Sequence, residues 1–117
     1  MMIVATNLDL PPINDLRDHL LSRLPGLIQR IVMYGSYARG EAGEDSDVDV
    51  LVVVEECSPS VVEETRAVRY EVMERYQYHP LLSLLILSDK DWRGLSERSA
   101  GLKHNIEREG ITIWSKI

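Results

Sequence analysis

Positive charge is what this chain is short of. Its 117 residues carry 13 Lys and Arg against 19 Asp and Glu, for a net charge of −6, and no Lys/Arg-rich run offsets the excess. Stable grip on a long nucleic-acid backbone needs clustered cations, so that class of partner is excluded, whereas a single nucleotide delivered with a divalent cation is compatible with the charge. Cysteine is nearly absent: Cys57 stands alone, cannot close an internal disulfide, and agrees with a reducing compartment. No stretch approaches the roughly 20 apolar residues of a membrane span. The start Met1-Met2-Ile3-Val4-Ala5, running into Asp9, also lacks the basic opening of a signal peptide. A cytoplasmic protein with no membrane partner is expected. Repeats, low-complexity tracts and Pro/Gly/Ser-rich linkers are missing too. With 44% hydrophobic residues, residues 1–117 are read as one small domain with a modest core. His19, His79 and His104 lie on separate elements without zinc-like spacing and are read as surface or packing residues.

What the chain does have is an unusual pair of apolar runs. The segment Val48-Asp49-Val50-Leu51-Val52-Val53-Val54 is short and nearly all β-branched, and reads as a strand buried on both faces. Alternate residues of a strand share a face, which sets Asp47 and Asp49 on one side, about 7 Å apart at the backbone. Two carboxylates so placed repel each other. Carboxylate oxygens are what a hard cation such as Mg2+ prefers, and Mg2+ fills its remaining positions with waters and substrate phosphates. The pair makes an incomplete cage that a nucleoside triphosphate could finish.

The other run, Leu27 to Tyr34, reads as a strand ending at Gly35, where the chain can turn as a residue with a Cβ would resist. Ser36-Tyr37-Ala38-Arg39-Gly40 then suits a short helical turn, whose first amides with the Ser36 hydroxyl offer an anion site. Arg39 could meet a phosphate or one of the site's own acids.

Around these runs the pattern alternates between helix and strand. Ile13, Leu16, Leu20, Leu21 and Leu24 follow helical spacing after Pro11-Pro12, and Pro25-Gly26 stops the helix. Ser58-Pro59 caps a second helix with a stripe of Val61, Thr65, Val68, Val72 and Tyr76. Its polar face is expected to carry pairs such as Glu71 with Arg75. Leu81 to Leu87 reads as a third strand, Ser96 to Glu109 as a last helix with Leu102 and Ile106 inward, and Ile111 to Trp114 as a short edge strand. The expected fold class is α/β (α+β): a small mixed sheet flanked by helices, with the site at its edge.

Gly35-Ser36-x-Ala38-Arg39-Gly40, then Ser46-Asp47-x-Asp49 leading into an apolar strand, resembles the signature of the polymerase-β-like nucleotidyltransferase superfamily. The short length is similar to that of its minimal nucleotidyltransferases. The resemblance covers about Ile13 to Leu87. It implies a polymerase-β-like core and an enzyme that moves a nucleotidyl group, AMP from ATP or from another NTP, onto a hydroxyl. It implies that Gly35 and Ser36, with Arg39, bind the nucleotide, and that Asp47 and Asp49 are catalytic and bind Mg2+ or Mn2+. It further implies a small helical HEPN-type partner in a toxin–antitoxin pair, and leaves a homo-oligomer open. The family usually adds a third acid on a later strand. Here Ser83 takes that place, and Asp89 and Asp91 fall beyond the strand's end, so the metal cage is one carboxylate short. The alternative function is therefore a catalytically weak nucleotide-binding module that neutralises its partner by forming a complex.

Overall fold

The computed structural model describes residues 3–95 and 100–116. The elements run β1 (Ile3–Ala5), α1 (Pro11–Arg23), β2 (Ile28–Tyr34), α2 (Ser36–Arg39), β3 (Val48–Val54), α3 (Pro59–Arg75), β4 (Leu82–Ser88), α4 (Asp89–Arg93), α5 (Ala100–Glu109) and β5 (Ile111–Lys116). The strands form one mixed sheet in the order β1-β5-β2-β3-β4. Only β3 and β4 run parallel, because α3 carries the chain across one face between them, as a parallel connection requires.

The alternation of β3 builds both halves of the interior. Val48, Val50, Val52 and Val54 pack towards α1 and α3, among Ile13, Leu16, Leu20, Val61, Val68 and Val72. Leu51 and Val53 face the opposite side with Val32, Trp92 and Ile106. That second face is where α4 and α5 settle, and the guanidinium of Arg30 and the ammonium of Lys103 lie 5.9 and 5.3 Å from the Trp92 ring centre. Ser58 caps α3 by accepting the Val61 N–H at 3.3 Å, and Pro59 fills the first helical position, where its missing N–H costs nothing.

Several expectations need correction. Ile111–Lys116 is no edge strand: it lies between β2 and β1, because Ile3–Ala5 adds outside it. Three residues are too few to show strand periodicity, so β1 could be found only through its partner. Tyr76 is half-buried with its hydroxyl on Asp15, and Met73 takes the core place beside Val72, since a phenol needs a polar partner that the core cannot supply. Glu71 pairs with Arg23 of α1 at 3.0 Å and Arg75 with Asp15 at 3.4 Å; the packed neighbour helix competes successfully with the local i, i+4 pairing. Leu102 is 43% exposed, while Ile106 is buried. Residues 96–99, the expected start of the last helix, lie outside the described residues.

Arg17 is the buried cation among the described residues, 7% exposed. It donates to the Thr6 carbonyl at 2.9 Å, to Asn7 Oδ1 at 2.7 Å and to Asp18 at 2.8 Å, holding the segment after β1 onto α1. Arg17→Ala leaves the Thr6 carbonyl without that donor and should cost about 2 kcal/mol in a denaturant titration. Unchanged stability would show that water replaces the guanidinium freely.

Candidate active site

Asp49 occupies the first position on the sheet face that Leu51 and Val53 continue as core. Its register partners are Tyr34 on β2 and Ser83 on β4. An acid at the rim of an apolar face is only half hydrated. Burial raises its pKa above the ordinary 3.8, the charge of Asp47 raises it further, and Arg39 pulls the other way. Burial and then the Asp49 charge push the Tyr34 hydroxyl up as well.

Beside Asp49, β2 ends at Gly35 with φ 77°, a conformation that costs little only without a side chain. A second reason for glycine is steric: a Cβ here would collide with Asp49 Oδ2. The Asp49 carboxylate therefore rests directly on the Gly-Ser loop. The expected helical turn follows as α2, with the Arg39 N–H donating to the Gly35 carbonyl at 3.1 Å and Gly40 closing it in the left-handed conformation.

Arg39 is engaged by acids, donating to Glu41 at 3.1 Å and to Glu109 at 3.3 Å. Burial opposes the ionisation of Glu109, but hydrogen bonds from Arg108 and Arg39 outweigh it and hold the carboxyl below its usual 4.5. The end of α5 is thereby drawn over the loop. Gly110 permits the approach, because a Cβ there would run into the Ile106 carbonyl and Val32.

The resulting cleft, of about 330 Å³, is lined by Tyr34, Gly35, Ser36, Arg39 and Asp49 from the motif and by Leu102, Asn105 and Glu109 from α5. Four of the five expected site residues thus meet in one cavity. Asp47 is exposed just before β3 and lines a separate hollow with Tyr78 and His79, acting on Asp49 through its charge. Leu102, expected in the core, and Asn105 and Glu109 join the site without any signal in the sequence. Their i, i+3, i+7 spacing marks one helical face, yet nothing local says what that face covers.

Chemically, the cleft offers one carboxylate with a second nearby, a glycine-permitted loop and a cation. Among the described residues no group of three His, Cys, Asp or Glu is placed to hold a metal, and Ser83 stands beside Asp49 in the ladder, where the third acid is expected. No helix among them is long and apolar enough to cross a membrane.

The model of the nucleotidyltransferase domain family matches residues 13–110. The "putative protein adenylyltransferase MJ0141" of Methanocaldococcus jannaschii is 32% identical over 74 residues, covering 63% of this chain and 74% of that protein. A solved structure described as a "putative minimal nucleotidyltransferase" is 30% identical, covers 92% of this chain and 98% of the other, and superposes with a TM-score of 0.53. A second structure, described as tri-AMPylated Shewanella oneidensis HEPN toxin in complex with MNT antitoxin, holds a chain that shares the fold at 15% identity and a TM-score of 0.55, covering 93% of this chain and 74% of that one. With the family's motif gathered at one end of the family's sheet, the chain belongs to the nucleotidyltransferases, as a minimal, MNT-type member.

Proposed function

We propose that this chain transfers a nucleotidyl group, AMP from ATP, to a hydroxyl of a protein or small-molecule acceptor. One observation carries the reading: the Asp49 carboxylate is packed on Gly35, so that the strand's acid and the Gly-Ser loop are two walls of one cleft. In this reading Gly35 and Ser36 hold the triphosphate, and Arg39 exchanges a carboxylate partner for a phosphate oxygen. Asp47 and Asp49 bind Mg2+, or Mn2+ in its stead. The donor set suits a hard cation, which takes one or two protein carboxylates and completes its shell with waters and phosphates. The Asp49 pKa is raised by burial and then by the Asp47 charge, and a cation bound there would offset both. Bound there, the ion would supply charge stabilisation on the phosphates. The acceptor oxygen bonds to the α phosphorus, the bond to pyrophosphate breaks, and the hydroxyl proton is released.

Residues 1–117 form a single nucleotidyltransferase domain in this account, and a partner presents the acceptor. The shared fold with a chain of the Shewanella HEPN–MNT complex supports a small helical HEPN-type protein in that role, with this chain as antitoxin. ATP radiolabelled at the α phosphate should label such a partner in the presence of Mg2+. A partner that binds but stays unlabelled would overturn the transferase reading.

The Asp49–Ser83 register favours a second reading, a catalytically weak module that binds nucleotide and neutralises its partner by complex formation. Neutralisation surviving the loss of both Asp47 and Asp49 would select it. Ser83→Asp tests the same point from the other side. Because Ser83 is exposed beside Asp49, the added carboxylate should raise metal affinity and transfer about tenfold. A folded variant that binds Mg2+ no better would remove Ser83 from the metal's surroundings.

A further inference from the structure

The outer edge of the sheet is a strand whose hydrogen-bonding groups are only partly used. Among the described residues β4 has a neighbour on one side alone. The bond from the Val48 N–H to the Leu81 carbonyl, at 2.9 Å, sets the phase of the parallel ladder. Odd residues of β4 bond to β3, and even residues turn their N–H and C=O outward. At Leu82 both outward groups are satisfied by α3: Met73 Sδ accepts the N–H, and Arg69 Nε donates to the carbonyl. Leu84 and Ile86 come next along the edge, and no such cap reaches them from the described residues. They open instead into a groove of about 590 Å³, walled by Val62, Arg66, Arg69 and Tyr70 of α3 and reaching Ser83.

An apolar edge with free backbone groups is a template for another strand. The groove's charge decides what kind. Arg66 and Arg69 line it, no acid does, and Arg66 makes no ion pair among the described residues, against a chain of net charge −6. A second copy pairing β4 to β4 would bring the arginines of both copies together, where like charges oppose pairing. We propose that the β4 edge, at Leu84 and Ile86, receives an extended, acidic segment of the acceptor protein as a sixth strand, with Arg66 meeting its carboxylates. The acceptor part of this assignment rests on the transferase reading above. The geometry links the two: Ser83 borders the groove and pairs in register with Asp49, so a strand added to β4 runs two strand spacings, about 10 Å, from Asp49.

The test uses the full chain labelled with nitrogen-15 and, as probe, a synthetic peptide of alternating valine and glutamate, with a valine–lysine peptide as control. At saturation with the acidic peptide the Leu84 and Ile86 amides should exchange about tenfold more slowly. Arg66→Glu, an exposed change that leaves the backbone edge intact, should weaken this peptide about tenfold and leave MgATP affinity unchanged. Equal affinity for both peptides, no binding at millimolar concentration, or binding that leaves Leu84 and Ile86 unprotected would overturn the proposal. Protection that depends on protein concentration without peptide would overturn it too, by assigning the edge to a second copy. Calorimetry with MgATP on the same samples separates the two readings, because failure to bind nucleotide while the peptide still protects the edge would sink the transferase alone.

Discussion

Gly35→Val should reduce MgATP affinity by about 100-fold or more, close to 3 kcal/mol. Two independent penalties act at this position. A β-branched residue at φ 77° is strained in itself, and its Cβ would meet Asp49 Oδ2, so either the loop or the carboxylate must move out of the cleft. Either movement takes one wall of the cleft away from where the triphosphate and its cation are proposed to sit. Calorimetry of nucleotide binding, with circular dichroism to establish that the sheet persists, reads the effect. A folded Gly35→Val protein with full MgATP affinity would reduce the loop to an ordinary strand-ending turn. Ser36→Ala, which removes one hydroxyl, should cost only about 1 kcal/mol in the same assay.

Asp49→Asn should lower nucleotidyl transfer about 100-fold by removing the carboxylate inside the cleft. The same change should raise, not lower, the stability of the nucleotide-free protein at neutral pH. The folded-state pKa of Asp49 is raised above 3.8, by burial and then by Asp47, so ionising it favours the unfolded chain. That penalty is absent below the ordinary pKa, where both states are protonated, and is fully present above the raised one. Thermal melts of Asp49→Asn and its parent should therefore coincide in acid and separate towards neutral pH, with the variant higher. The reverse order at neutral pH would show that the carboxylate makes a stabilising contact that Asn cannot replace. Asp47→Asn should act more weakly on transfer, because Asp47 is exposed and would hold the ion from outside the cleft that Asp49 lines.

How far residues of this chain could be understood one at a time depends on the range of the interaction involved. The β-branched run Val48 to Val54, the cap Ser58-Pro59 and the stop at Pro25-Gly26 are local, and the observed β3, α3 and α1 follow them to within a residue or two. The Gly-Ser loop and the Asp-x-Asp strand were legible for the same reason: φ of a glycine and the face of a strand residue are properties of a few neighbouring positions. Sequence alone thus determined the motif, its family and most of the elements that carry it. Tertiary structure decided the rest. Arg39 meets Glu109 of α5 at 3.3 Å, across a chain separation that no local pattern encodes. Leu102 looked inward by helical periodicity, but periodicity gives a face without saying what the face meets, and here it lines the cleft. Strand order is the clearest case: β5 is interior only because the three-residue β1 pairs with it from the other end of the chain. Hydrogen bonds between strands are made by backbone groups that every residue except proline possesses, so side-chain identity constrains which strands neighbour each other only through the collective packing of the core.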